Sequence, residues 1–125
     1  MLRPKALCST LNHYVGAGVD SIILFTSEGI LLAQSNVNSN GEKTKAAIVA
    51  NIWNIYQRQQ DNVTIDDQIQ ELLIEFELGK LAISKVGNVL LCVCGSENSE
   101  FGMIRAKMVT LIDRLTEPLS KLTGF

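Results

Sequence analysis

The chain has little charge and almost no bias of sign. Of 125 residues, 19% are charged, and 11 basic against 13 acidic side chains leave a net charge of −2. The basic residues are scattered, so the cationic footprint that nucleic-acid binding requires is missing. The one local pair, Lys43 and Lys45, stands at the start of a helical stretch and reads as a solvated face. Cysteine is scarce: Cys8, Cys92 and Cys94 are all there is. An odd count without any C-x-x-C excludes a disulfide framework and a zinc knuckle. Cys92 and Cys94 lie two apart in an apolar run, on one face of a strand, and read as buried, unreactive thiols. Reduced cysteines fit a cytosolic chain. The N-terminal stretch has no apolar core of a signal peptide, and no run approaches the roughly 20 apolar residues of a membrane span. Residue 2 is Leu and the C-terminal LTGF is not a prenylation box. Lipidation at either end is therefore not expected, and any membrane attachment should come through a partner. The sequon at Asn62-Val63-Thr64 reads as chance.

The usual catalytic constellations are missing as well. His13 is the only histidine, with no cysteine or acid spaced to make a triad or a metal site. It reads as a cap or surface residue. Gly16-Ala17-Gly18 precedes a strand, whereas a dinucleotide fingerprint follows a strand and opens a helix. The acids Asp61, Asp66, Asp67 and Glu71 do not have calcium-loop spacing and read as a solvated turn. Glu71, Glu75 and Glu77 could supply acid or base groups. On an edge strand such a row more simply guards against unwanted pairing. The chain is read as a non-enzyme with no cofactor and no metal.

What is present is apolar surface, 46% of the residues, enough for one folded domain spanning 1–125. Residues 3–15 read as a short helix, with Pro4 in its first turn and Gly16 and Gly18 ending it. Residues 20–26 and 30–35 form a hairpin around Ser27-Glu28-Gly29. An Asn- and Ser-rich loop, 36–41, leads to a helix over 42–60, with Ser39 and Glu42 as a candidate capping box. Residues 70–77 alternate, with Leu72, Ile74 and Phe76 on one face and Glu71, Leu73, Glu75 and Glu77 on the other. Strands 80–86 and 89–94 follow around Gly87-Asn88. A last helix runs over 99–122, with Pro118 expected to kink it or end its regular part near Glu117. The strands 20–26 and 89–94 are apolar on both faces and should be central, while 70–77 should lie at an edge. The expected fold is α+β, in the order α-β-β-α-β-β-β-α. Its five-stranded, mostly antiparallel sheet carries the middle helix on one face and the terminal helices on the other.

The middle helix organises the rest, because it has too much apolar surface for one core. Ala46, Val49, Ala50, Trp53 and Tyr56 form one stripe, and Ile48, Ile52 and Ile55 a second beside it. Together they cover roughly 220° of the helix, against the 100° or more that one core needs. The reading assigns the isoleucines to the sheet. It turns the Ala46, Ala50 and Trp53 stripe toward a second protein, with the alanines permitting close approach and Trp53 as anchor.

The element order resembles the roadblock domain family, of roadblock/profilin-like α/β/α sandwich fold, and within it the Ragulator-type subunits. The resembling residues are 1–7 (MLRPKAL), Glu28-Gly29 with Leu31-Leu32-Ala33, Ala46-Ala47-Ile48, and Asn51-Ile52-Trp53 with Tyr56. Further on come Gly79, Ala82-Ile83, Val86, Asn88 with Leu90-Leu91-Cys92, Phe101-Gly102-Met103, Ala106-Lys107 and Pro118-Leu119. The sequence departs from that pattern in the loop 34–44, so contacts of that loop are not carried over. The resemblance implies a non-catalytic scaffold in which the middle helix and the next strand form the dimer interface, with two sheets joined edge to edge. Here that interface is Ala46, Val49, Ala50, Trp53 and Tyr56, with Glu71, Leu72, Leu73, Ile74, Glu75 and Phe76.

The implied partners are a second roadblock-domain protein, a lipidated Ragulator anchor subunit and Rag GTPases. The implied setting is MAPK and MTOR signalling at the cytosolic face of late endosomes and lysosomes. The glutamates favour a heterodimer, since self-pairing would bring like charges together. The competing readings are a dynein-associated or other roadblock adaptor, and a GTPase-activating roadblock protein. For the last, Arg58 and Arg105 are the only helix candidates for a finger, and both read as solvated.

Overall fold

The computed structural model describes residues 4–35, 42–61, 71–77 and 79–120. Ser39, the sequon at 62–64, Asp66, Asp67 and most of the 34–44 loop lie outside them. The elements are α1 (Pro4–His13), β1 (Val19–Thr26), β2 (Leu31–Gln34), α2 (Glu42–Asp61), β3 (Glu71–Phe76), β4 (Gly79–Val86), β5 (Val89–Ser96) and α3 (Phe101–Ser120). The five strands pair antiparallel in the order β2-β1-β5-β4-β3. The α-β-β-α-β-β-β-α order holds, β1 and β5 are interior strands, and β3 is an edge. Of the two outcomes expected at Pro118, an end to the regular helix near Glu117 is not seen: α3 continues to Ser120. Proline removes one intrahelical donor and crowds the preceding turn. Here Leu115 and Leu119, both buried, lie on either side of it and hold the last turn to the core.

The two apolar strands are explained by two cores. On β5, Val89, Leu91 and Val93 face one side with Leu7 and Leu11 of α1 and Ile104, Met108, Leu111 and Leu115 of α3. Leu90, Cys92 and Cys94 face the other side with α2. The strand β1 divides in the same way, Ile22 and Leu24 to the first core, Ile23 and Phe25 to the second. Successive strand side chains point to opposite faces, so a sheet covered on both sides needs apolar residues at every position.

The packing of α2 corrects the sequence reading. Ala46, Val49, Ala50 and Trp53 are the residues buried on the sheet, at 0, 2, 2 and 3% exposure. They pack with Ile23, Phe25, Leu81, Ile83, Leu90 and Cys92. Ile48 and Ile55 face outward at 55 and 45% exposure. The physical reason is the one first applied to a partner: small residues allow close approach. The sheet uses that approach first. Asn54 adds a tie, its Nδ2 donating to Ser27 O at 2.9 Å.

The α1–β1 connection is unusual. Gly16, Ala17 and Gly18 have φ of 114°, 50° and 97°. Its carbonyls are held by α3 and the loop before it. Lys107 Nζ donates to Tyr14 O at 3.0 Å and also to Gly16 O, and Ser99 Oγ donates to Gly18 O. Gly95 packs beneath. A Cβ there would stand 2.6 Å from Gly18 O and 2.8 Å from Ile104 Cδ1.

Candidate partner interface

Two unsatisfied features meet along one side of the domain. The first is the outer edge of β3, which among the described residues pairs only with β4. The second is the outward face of α2. Between them lies a groove of about 630 Å³, whose lining includes Lys45, Ile48, Ile52, Ile74, Phe76 and Cys94. Ile48 of α2 and Phe76 of β3 line it half-exposed, and Ile55 and Tyr56 of α2 and Leu73 of β3 are half-exposed outside it. Leu72 and Ile74 pack inward against the α2 core. Leu73, opposite Ala82 in register, lies on the other sheet face.

Polar groups frame this strip. Glu71 Oε1 receives a hydrogen bond from Arg105 Nε at 2.6 Å. Arg105, read from the sequence as solvated, is thus tied to β3. Glu75 lies 4.0 Å from Lys80 Nζ. That ammonium also donates to Ser99 O at 2.6 Å and stands 5.5 Å from the Phe101 ring centroid. Lys45 Nζ donates to Ser21 Oγ at 3.2 Å on the groove's rim.

The expected interface residues therefore separate. Tyr56, Leu73, Glu75 and Phe76 are exposed, Glu71, Leu72 and Ile74 are half-buried, and Ala46, Val49, Ala50 and Trp53 support the helix from beneath. Ile48, Ile52 and Ile55 were seen in the sequence but given to the wrong side. The signal that could have placed them is size. Ala46 and Ala50 mark the side on which the helix can come closest to the sheet. Elsewhere, His13 is exposed and meets Tyr14 edge-on at 5.6 Å. Cys92 and Cys94 are buried, their sulfurs 3.7 Å apart.

The sequence matches the Roadblock/LC7 domain over residues 15–94. The chain belongs to the Roadblock/LC7 family. It is 29% identical to the Ragulator complex protein LAMTOR2 homolog of Caenorhabditis elegans, with 98% of this chain and 97% of that protein covered. The Roadblock/LC7 domain of Streptomyces avermitilis superposes with a TM-score of 0.80 at 13% identity, covering 90% of this chain and 96% of that one. The gliding protein MglB of Thermus thermophilus superposes with a TM-score of 0.79 at 16% identity, covering 95 and 92%. The chain is thus a roadblock domain of adaptor type, similar over its length to a LAMTOR2 homolog. Among the described residues, no helix is long and apolar enough to cross a membrane.

Proposed function

We propose that this roadblock domain is a non-catalytic scaffold subunit of a Ragulator-type complex, and that it heterodimerises with a second roadblock protein. The observation that carries the pairing is that Ile48, Ile55 and Tyr56 of α2 and Leu73 and Phe76 of β3 are half-exposed at the open strand edge, Leu73 on the far face of the sheet. Burying the exposed half of one such side chain contributes about 1 kcal/mol. A partner strand added to β3 also satisfies the edge's backbone groups. The proposed contact surface keeps Tyr56 and β3 and takes Ile48, Ile52 and Ile55 in place of the buried α2 stripe. The Ragulator assignment is supported by similarity to the LAMTOR2 homolog across 98% of the chain.

The preference for an unlike partner comes from charge. A two-fold pairing centred on Leu73 would face Glu71 against the copy's Glu75, at a few tenths to about 1 kcal/mol per facing pair. A partner strand bearing Lys or Arg removes that cost. The further partners in this reading are a lipidated anchor subunit and Rag GTPases, at the cytosolic face of late endosomes or lysosomes. The pairing is tested by sedimentation of the purified chain, where a monomer or weak dimer is expected and a tight, salt-insensitive homodimer overturns it. The assignment is tested by affinity capture from cells read by mass spectrometry. Ragulator subunits and Rag GTPases are expected. Recovery of dynein intermediate chain in their place, or stimulation of GTP hydrolysis by the pure chain, overturns it.

A further inference from the structure

A second concave site lies across the sheet from α2, and the pairing reading makes no use of it. Between α1 and α3 a cleft of about 320 Å³ is lined by Ser9, Thr10, His13, Tyr14 and Arg114. None of the five is acidic, in a chain whose net charge is −2. Arg114 and His13 are exposed, and among the described residues no carboxylate is ion-paired with Arg114. Asp113 and Glu117 neighbour it on α3 but line no part of the cleft.

A cation near the end of α1 could simply complement the helix's last carbonyls. Two of the helix's last carbonyls, and Tyr14 O just beyond it, already have donors. Tyr14 N bonds Leu11 O at 3.1 Å, Val15 N bonds Asn12 O at 3.2 Å, and Lys107 Nζ bonds Tyr14 O at 3.0 Å. Thr10 Oγ1 donates to Ala6 O at 2.9 Å, which occupies its proton. That leaves a guanidinium, an imidazole and the hydroxyls of Ser9 and Tyr14 as donors around one small hollow. A planar guanidinium with hydroxyl and imidazole donors matches a tetrahedral oxyanion, which the guanidinium can grip with two parallel hydrogen bonds.

We propose that this cleft binds a phosphorylated side chain of a partner protein. The shape favours that source over a membrane surface. Anionic bilayers are read by clusters of 4–8 basic residues on an open face, whereas one guanidinium in a hollow addresses a single phosphoryl group. The site stands apart from the α2–β3 strip, so neither proposal depends on the other.

The test is an NMR titration of the intact ¹⁵N-labelled chain with N-acetyl-O-phosphoserine amide. Saturable shifts are expected at the amides of Ser9, Thr10, His13 and Tyr14, with none from the unphosphorylated amide. Arg114→Ala should weaken binding about tenfold or more, and Arg114→Lys should weaken it less than Arg114→Ala does. Unchanged amide positions away from the cleft would show that the variants remain folded. The proposal is overturned by absence of saturable shifts, or by shifts that persist at the same affinity in Arg114→Ala. Binding to vesicles carrying phosphatidylinositol phosphate without any response to the phosphoserine amide also overturns it, in favour of a lipid headgroup.

Discussion

The double variant Ile48→Asp, Ile55→Asp separates the two faces of α2 most sharply. In the isolated chain both side chains are about half exposed, at 55 and 45%. Substitutions at exposed helix positions change stability by about 0.5 kcal/mol or less, and Asp is near Ile in helix propensity. The variant should keep its far-UV circular dichroism and its Tm within a few degrees. In the complex, each loses about 1 kcal/mol of apolar burial. Each new carboxylate adds a desolvation cost of about 1–3 kcal/mol in an apolar contact. Together these reach roughly 4 kcal/mol or more, about a thousandfold in Kd. Trp53→Ala is the matched control. Trp53 is 3% exposed and packed on the sheet, so its loss should cost about 3–5 kcal/mol of stability and lower Tm by more than about 10 °C. Isothermal titration against the co-purified roadblock partner reads the first effect and thermal denaturation the second. An unchanged Kd for the double aspartate variant would refute the assignment of the outward face, and an unchanged Tm for Trp53→Ala would refute the packing of the inward one.

Three further outcomes are expected. Gly95→Ala should destabilise the chain by about 1–3 kcal/mol in chemical denaturation, because its Cβ would meet Gly18 O at 2.6 Å and Ser99 Oγ at 2.8 Å. Ala17→Gly should raise stability by up to about 1 kcal/mol, since Ala17 stands at φ 50°; a lower Tm would contradict this. Lys107→Met should cost about 1–3 kcal/mol by leaving the Tyr14 carbonyl without its donor, while Gly16 O keeps Val19 N. It should also speed hydrogen exchange at Gly16, Ala17 and Gly18 in preference to the sheet.

Much of the fold was legible because its signals are local. Alternation in 70–77 marked an edge strand. Continuous apolar runs in 20–26 and 89–94 marked strands covered on both faces, and Leu90, Cys92 and Cys94 against Val89, Leu91 and Val93 show how that is achieved. Pro118 does not end α3, because a proline's local cost says nothing of the buried Leu115 and Leu119 that hold the turn around it.

By itself the sequence determined that α2 has two apolar stripes and that a row of glutamates accompanies the strand beside it. Both follow from side-chain periodicity, which needs no knowledge of neighbours. Only the tertiary structure decided which stripe is inside. Helical periodicity places residues around an axis but cannot say from which side the sheet arrives. That depends on how close the helix can come, and Ala46 and Ala50, with Trp53 filling the space beyond, let it come closest on their own side. Ile48 and Ile55 are left outward, next to β3, and there the proposed partner meets the chain.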